Sequence, residues 1–312
     1  MDKQLLKAAI IVASYQGEKV ISNCISSVFA SDYPNFEVIF VNNDCKDETR
    51  NIVIIQFPKV QIIDSKINLG FAGGYNLGMW KAYQNNAEII ILINDDVFVD
   101  KRWLSAIVNG FQQDKKIGII GSKLIYPDKK TIQHAGGIMY PNGRTWHRGN
   151  GELDTGQWDK QDEPDYVTGA SFAIRRELIE RLGYLDEEYK PGYFEETDYC
   201  WRAKRLGYRV VYLPISVAYH HESHSTVKYS SGFFEKYHRN RIRFILKNFS
   251  LFQLYHALQE ETKYRATVKS TDEYPAIIRA YRDNLIRLPN ILFARWKTRW
   301  QDYQIPCKKN KS

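Results

Sequence analysis

Between Glu88 and Asp100 the chain reads EIIILINDDVFVD. Ile89 to Ile93 are apolar without alternation, which suits a strand buried on both faces of a parallel sheet. Asn94, Asp95 and Asp96 close the run, and Val97-Phe98-Val99 resumes the apolar pattern. Buried carboxylates need a partner, and a bound cation is one. Ligands of open α/β sheets sit beyond the carboxyl ends of the strands, so Asn94-Asp95-Asp96 is the expected floor of a site. Asn94 and Asp96 fall on the same side of an extended backbone. A hard divalent cation on a diphosphate wants oxygen ligands on one side and open positions on the other. An Asp pair alone also occurs in surface turns; the buried strand before it favours the cation.

The neighbouring sequence repeats the alternation. Ala8–Ala13 is a strand that ends in Ser14-Tyr15-Gln16-Gly17-Glu18, and Lys19–Ala30 has helical periodicity. Phe36–Val41 is a second strand ending in Asn42-Asn43-Asp44, and Asp47-Glu48-Thr49 opens a helix with an acidic first turn. Val60–Ile63 is a third strand, and the glycine stretch from Asn68 to Asn76 leads into a helix over Leu77–Tyr83. Strand–loop–helix order of this kind predicts an α/β fold with a mostly parallel central sheet flanked by helices.

Beyond Asp100 the expected elements are a helix over Trp103–Phe111, a short strand over Ile117–Ile120, and a long irregular stretch from Thr131 to Asp165. Val167–Arg175 reads as a strand and Arg176–Leu182 as a helix ended by Gly183. A loop enters a helix across Gly192–Leu206, and two strands follow at Arg209–Leu213 and Val217–Tyr219. From about Phe233 the chain reads as helical, with breaks at Pro275 and Pro289. The expected division is a catalytic domain over 1–227, with halves at about 1–100 and 101–227, and a basic, aromatic helical extension over 228–312.

Composition narrows the partners. A formal charge of +8 favours phosphate, nucleic acid or a lipid surface. No apolar run reaches the length of a membrane-spanning helix. Cys24, Cys45, Cys200 and Cys307 lie far apart without metal-type spacing, which fits a reducing cytoplasm. The segment from Arg279 to Trp300 mixes Arg and Lys with Ile, Leu, Phe and Trp, as does a helix lying on an anionic membrane. Packing of these basic helices on the main domain is an equal reading.

Other constellations carry chemistry. The spacing of Gly70, Gly73, Gly74 and Gly78 departs from a dinucleotide fingerprint, so hydride transfer is a poor match. Glycines before a helix still let backbone N–H groups approach a phosphate or sugar. Glu195-Glu196-Thr197-Asp198 gathers three carboxylates at a helix start, where repulsion raises one pKa toward that of a general base. A plain acidic helix cap would look the same. His220, His221 and His224 follow a strand, and an imidazole can complete an Asp-based cation site. The basic run Arg239, Arg241, Arg243 and Lys247 is placed to meet phosphates.

Taken in order, these pieces resemble the inverting family 2 glycosyltransferases, in particular the bacterial rhamnosyltransferase-like branch, over roughly residues 8–247. Ile11-Val12-Ala13-Ser14-Tyr15 resembles the first strand with its nucleotide-contacting Tyr, and Val41-Asn42-Asn43 with Asp47 and Thr49 resembles V-D-N-x-S-x-D-x-T. Asn68-Leu69-Gly70-Phe71-Ala72-Gly73-Gly74-Tyr75-Asn76 is similar to N-x-G-F-A-G-G-N-N, and Leu92 to Val97 is similar to L-L-N-P-D-V. Thr168-Gly169-Ala170 and Gly183 to Glu187 resemble the segment before the catalytic helix. Phe194-Glu195-Glu196-Thr197-Asp198 with Arg202 and Gly207 resembles F-E-D-V-D-x-x-x-R. His220 to Ser225 resembles H-x-x-x-x-S, and Tyr237, Arg239 and Asn240 resemble Y-x-x-R-N.

The resemblance implies a GT-A fold and transfer of a sugar, rhamnose or another hexose, from a dTDP- or UDP-linked donor with inversion. The implied acceptor is a saccharide or a polyprenyl-linked precursor of surface polysaccharide. It implies Mn²⁺ or Mg²⁺ held by Asp96, Asn94 and His220, and Glu196 as base, with Glu195 and Asp198 beside it. Donor contacts are implied at Ala13, Ser14, Tyr15, Glu18, Asn42, Asn43, Asn68, Gly70, Gly73, Gly74, Asn76, Asn94 and Asp95. Acceptor or diphosphate contacts are implied at Thr168, Gly169, Trp201, Arg202, Tyr237, Arg239 and Asn240. Asn42 stands where the family has Asp, Glu196 where it has Asp, and Asp95 where the branch has Pro. The expected setting is the cytoplasm, peripheral on the inner face of the membrane, with a second copy of the chain as a further partner and no nucleic acid. A sugar nucleotidyltransferase and a non-enzymatic nucleic-acid binder are the rival readings.

Overall fold

The structure, a computed structural model, describes residues 5–222 and 230–304, with side chains through 300. The chain divides into two compact units, Met1–Ile138 with Thr145–His224 and Met139–Arg144 with Ser225–Ser312. The boundary expected at 227/228 falls outside the described residues, as do His224, Ser225 and Cys307. Nothing in the sequence signals that residues 139–144 group with the second unit.

The first unit opens with β1 (Ala8–Ser14), α1 (Ile21–Phe29), β2 (Phe36–Asn43), α2 (Thr49–Gln56), β3 (Gln61–Ser65), α3 (Gly70–Gln84) and β4 (Ile89–Asn94). It continues with β5 (Val97–Val99), α4 (Trp103–Gln113), β6 (Ile117–Ile125), β7 (Ile132–His134), β8 (Gly137–Met139) and β9 (Thr145–His147). Then come β10 (Ser171–Arg175), α5 (Arg176–Leu182), a 3₁₀ turn (Glu187–Tyr189), α6 (Glu195–Arg205) and β11 (Arg209–His220). Across the main sheet the order is β3-β2-β1-β4-β10-β6-β11-β5, with β7 on β6. β1 is parallel to β2 and β4, β2 to β3 and β6 to β11, whereas β10 and β5 run antiparallel to their neighbours.

Burial explains the apolar runs. Ile89, Ile91 and Ile93 enter one core with Ile25, Trp103 and Phe111, while Ile90 and Leu92 enter the other with Met79 and Leu178. β4 therefore has no solvent face, as its unalternating sequence requires.

The glycine stretch behaves differently from expectation. α3 begins at Gly70, in the left-handed region at φ +74°, and not at Leu77. A Cβ on Gly78 would stand 2.3 Å from Ile11 Cγ2. Small residues here let α3 lie close against β1.

Several boundaries also shift. β6 reaches Ile125, β10 starts only at Ser171, and three short strands lie within 131–165. The two strands expected near 209–219 are one, with an irregularity between Leu213 and Val217 that absorbs Pro214, which has no N–H to give the ladder.

The second unit holds α7 (Ser231–Asn248), α8 (Leu251–Thr267), α9 (Glu273–Ile286) and α10 (Leu288–Gln304). The helical stretch is broken just before Pro275 and Pro289, which sit in the first turns of α9 and α10, where a missing N–H costs nothing. Arg241 is fully buried and reaches Glu261 at 2.6 and 2.8 Å and the Asn142 carbonyl at 2.8 Å. Arg243 and Lys247 are buried as well. The expectation that this basic run meets phosphates fails for Arg241, whose guanidinium is spent on Glu261 and Asn142 inside the unit.

Candidate active site

The sheet curls until β11 returns to the chain just past β4. Val97 pairs with His220, and the His221 N–H donates to the Asp96 carbonyl at 3.0 Å. His220 Nε2 consequently lies 3.1 Å from Asp96 Oδ1. Its Nδ1 lies 2.7 Å from Gln133 Oε1, which holds the ring as an Nδ1–H donor and leaves Nε2 facing Asp96. Gln133 itself is buried on β7. Sequence reading missed it, because a three-residue strand in a polar stretch carries no periodicity.

An imidazole nitrogen and a carboxylate oxygen at that distance share either a proton or a cation. Neighbouring donors about 2.1 Å from one octahedral cation stand about 3 Å apart, so the pair fits a small divalent ion. Among the described residues no three His, Cys, Asp or Glu side chains gather as a metal site. Asp96 and His220 would thus supply part of a shell, as in diphosphate sites that leave positions for phosphate and water. Asn94, expected as a ligand, is turned elsewhere. Its Nδ2 lies 3.3 Å from His220 Nε2, and its Oδ1 lies 3.2 Å from the Tyr75 hydroxyl. With the amide so assigned, Asn94 buttresses the corner.

Asp95 points away from Asp96. Its Oδ2 accepts a short hydrogen bond from Ser14 Oγ, and a Cβ on Gly17 would stand 2.6 Å from that oxygen. Burial pushes its carboxyl up to about 7 against the lowering effect of the Ser14 hydroxyl. Asp95 and Ser14, both expected at the donor, instead clamp the loop after β1. That loop leaves Tyr15 exposed and Ala13 half-buried, while the Glu18 N–H donates to Asp47 Oδ2 at 3.2 Å.

The other donor-side residues bind one another. Asn42 Nδ2 donates to Asp64 Oδ1 at 2.8 Å and Asn42 Oδ1 accepts from the Cys45 N–H at 2.9 Å. Asp64 in turn holds Arg50 through two hydrogen bonds at 2.7 and 2.9 Å. An Asp at position 42 would set two carboxylates together, so the departure to Asn is matched to Asp64. Asn43 accepts from the Leu69 N–H at 2.9 Å, and Asn68 Oδ1 from the Gly70 N–H at 2.8 Å. Asn76 receives the Leu185 N–H at 3.0 Å and donates to the Leu185 carbonyl at 3.0 Å and Glu187 Oε1 at 2.8 Å. Cβ atoms on Gly73 and Gly74 would meet Leu69 and Asn43. The stretch from Asn68 to Asn76 is packed and latched by its own amides.

This latch leads to the second acidic cluster. The Phe71 N–H donates to the Pro191 carbonyl at 3.2 Å, and Lys190 Nζ to the Asn68 carbonyl at 2.8 Å. Tyr193 and Phe194, both at φ +78°, then turn the chain into α6. Two adjacent non-glycine residues in the left-handed region are strained, and such strain concentrates at functional sites. On the other side Phe71 packs on Tyr75 with centroids 4.6 Å apart, and a Cβ on Gly169 would stand 2.5 Å from its ring. The half-buried Thr168 precedes Gly169, and the Ala170 carbonyl accepts from the Asn94 N–H at 3.4 Å. The Asp96 corner and the entry to α6 are joined through Tyr75 and Phe71.

The three carboxylates of α6 part company. Asp198 is fully buried, bonded to Arg202 Nε at 2.7 Å and to the Tyr189 hydroxyl at 3.0 Å. Arg202 also donates to the Leu182 and Tyr184 carbonyls. Both residues are structural here, against the catalytic and diphosphate roles expected of them. Glu195 is buried, and its Oε1 has no hydrogen-bond partner among the described residues. Burial first and the Glu196 charge second push its carboxyl well above the usual range. Glu196 is half-buried, and desolvation pushes it up to about 7. It alone of the three combines access with a pKa near neutrality. Trp201 is half-buried on the same helix. Tyr237, Arg239 and Asn240 lie on α7 in the second unit, with Asn240 fully buried.

A curled mixed sheet flanked by helices, with its acidic corner at the end of β4, defines a GT-A-type nucleotide-diphospho-sugar transferase fold. The solved structure of GalNAc-T7 with UDP, GalNAc and Mn²⁺ superposes with a TM-score of 0.65 at 14% identity, over 90% of this chain and 55% of that one. The family model described as Glycosyl transferase family 2 matches residues 9–183, and the chain belongs to that family.

The chain is 30% identical to the uncharacterized protein y4gI of Sinorhizobium fredii, over 70% of this chain and 24% of that protein. It is 29% identical to the O-antigen biosynthesis protein RfbC of Myxococcus xanthus, over 70% of this chain and 18% of that protein. The chain thus spans less than a quarter of the length of these two relatives. With an N-acetylglucosaminyl-diphospho-decaprenol L-rhamnosyltransferase of Mycobacterium tuberculosis it shares 21% identity, over 76% of this chain and 83% of the relative.

Proposed function

We propose that this protein transfers a hexose from a nucleotide-diphosphate donor to an acceptor hydroxyl with inversion at the anomeric carbon. The observation that carries the proposal is the 3.1 Å approach of His220 Nε2 to Asp96 Oδ1 in a chain of this family. Asp96 and His220, steadied by Asn94 and Gln133, would hold Mn²⁺ or Mg²⁺. A divalent ion there supplies positive charge that offsets the charge gathering on the departing diphosphate.

Glu196 takes the proton from the attacking hydroxyl, at a carboxyl whose pKa of about 7 suits that task. Burial pushes the neighbouring Glu195 carboxyl upward, which disfavours a second negative charge beside Glu196. Ser14 and Asp95 hold the loop that presents Tyr15 for stacking on the base. Tyr75, Phe71 and Asn76 keep the α6 entry registered against the Asp96 corner.

The RfbC and rhamnosyltransferase relatives support a saccharide or polyprenyl-linked acceptor in surface-polysaccharide synthesis, and the UDP of the GalNAc-T7 structure supports a nucleotide-diphosphate donor. Such an acceptor places the enzyme on the inner face of a bacterial membrane, with catalysis in the first unit and the C-terminal helices as an extension. Among the described residues no helix is long and apolar enough to cross a membrane.

Thermal shift with nucleoside diphosphates and nucleotide-sugars, with and without Mn²⁺ or Mg²⁺, tests the donor site. A rise in Tm with one nucleotide diphosphate that needs the cation and disappears in Asp96→Ala supports the proposal. Equal shifts in Asp96→Ala and wild type defeat the cation assignment.

A further inference from the structure

The charge of the chain is unevenly placed. The segments that form the second unit, 139–144 and 225–312, contain nineteen Lys and Arg against seven Asp and Glu. The rest of the chain contains 25 against 29. All of the net positive charge therefore belongs to the helical unit, and its buried Arg241–Glu261 pair accounts for none of the excess.

The same unit exposes large apolar side chains. On α10, Leu292, Phe293, Trp296 and Trp300 are each more than half exposed. At 3.6 residues per turn these four fall within one arc of about 100°. Lys297 borders the arc on one side and Arg299 on the other, while Ile291 and Thr298 face inward. Arg295 also points inward, its Nη1 donating to the Leu246 carbonyl at 2.8 Å. The aromatic rings form a ladder, with centroids 5.9 Å apart for Phe293–Trp296 and 5.8 Å for Trp296–Trp300. Leu285 and Ile286, at 70% and 73% exposure, extend the patch just before α10.

α8 has an apolar face too, at Leu251, Phe252, Tyr255 and Leu258, but its arc takes in Gln259 and Thr262. Soluble surfaces rarely expose contiguous apolar area without a use. Trp and Phe between Lys and Arg on one helix face suit the boundary between lipid headgroups and acyl chains. A second copy of the chain would bring two strongly cationic units together, whereas an anionic bilayer complements them.

We infer that the α10 face built from Leu292, Phe293, Trp296 and Trp300 docks on an anionic lipid surface, with Lys297 and Arg299 at the headgroups. This deepens the peripheral membrane placement proposed above and rests on it.

Co-sedimentation of the full-length protein with vesicles, without donor or acceptor, reads the surface directly. Wild type should bind phosphatidylcholine vesicles containing 30% phosphatidylglycerol at least tenfold more tightly than pure phosphatidylcholine, with a blue shift of Trp emission. The triple variant F293S/W296S/W300S should lose at least tenfold of that binding at unchanged circular dichroism, since all three side chains are exposed. Lys297→Gln and Arg299→Gln should each weaken it about fivefold. Failure of wild type to prefer anionic vesicles overturns the inference. So does a triple variant that binds like wild type, or one that merely converts a dimer to a monomer with vesicle binding unmoved. Transfer to a water-soluble acceptor, assayed in parallel, reports on the proposed reaction alone.

Discussion

Glu196→Gln keeps the shape of the side chain and removes the group that accepts the proton. Glu196 is half-buried at the start of α6, and desolvation moves its carboxyl from the ordinary 4.5 up to about 7. A carboxyl must lose its proton to act as a base, so activity is gained as pH rises through the folded value. About half of the enzyme is competent at pH 7 and about a tenth at pH 6. Wild-type kcat/KM should therefore level off above about pH 8 and fall about tenfold per unit below about pH 6. General-base catalysis contributes roughly 10²–10⁴ in rate, and Glu196→Gln should lose a factor in that range at pH 8 while its acid limb disappears. Initial rates of nucleoside diphosphate release between pH 5 and 9, with the nucleotide-sugar giving the largest thermal shift, measure both effects. A flat wild-type profile from pH 5.5 to 8, or a Glu196→Gln enzyme within a few-fold of wild type, would refute the assignment.

Other outcomes follow from the same geometry. Glu195→Gln replaces a buried carboxyl, pushed well above the usual range by burial, with its isostere, so kcat should stay within a few-fold of wild type; loss comparable to Glu196→Gln would move the base one residue upstream. Asp96→Ala and His220→Ala should each abolish transfer at unchanged circular dichroism, and EDTA should do the same to wild type until Mn²⁺ or Mg²⁺ is restored. Arg202→Ala leaves the fully buried Asp198 charge without its partner and should cost about 3–5 kcal/mol in denaturant unfolding. Gly78→Ala places a methyl 2.3 Å from Ile11 Cγ2 and should destabilise by about 1–3 kcal/mol, read as a lowered Tm.

The parallel half of the sheet was legible because its strands are short unalternating runs that both cores require, as Ile89 to Ile93 illustrate. Asp96 and Glu196 were legible because acids stand out at a strand end and a helix start. The pairing of His220 with Asp96 came only from the family resemblance and not from periodicity, since their approach depends on a curl of the sheet that pairs β5 with a strand more than a hundred residues later. Gln133 was hidden for the same reason, lying on a strand too short to show a period. The glycines from 70 to 78 are ambiguous in the sequence because close helix–strand packing and ligand approach ask for the same residue. Only the position of Ile11 beneath Gly78 separates the two. Pro275 and Pro289 marked the breaks between helices, since a proline cannot continue a helix in its interior but fits its first turn.

The most direct measurement is product analysis by NMR after incubation with a nucleotide-sugar, a divalent cation and a saccharide or lipid-linked acceptor. Nucleoside diphosphate should appear in equal amount with a new glycoside whose anomeric configuration is opposite to that of the donor. Release of inorganic pyrophosphate, or a glycoside that retains the donor configuration, would contradict an inverting transfer driven by Glu196.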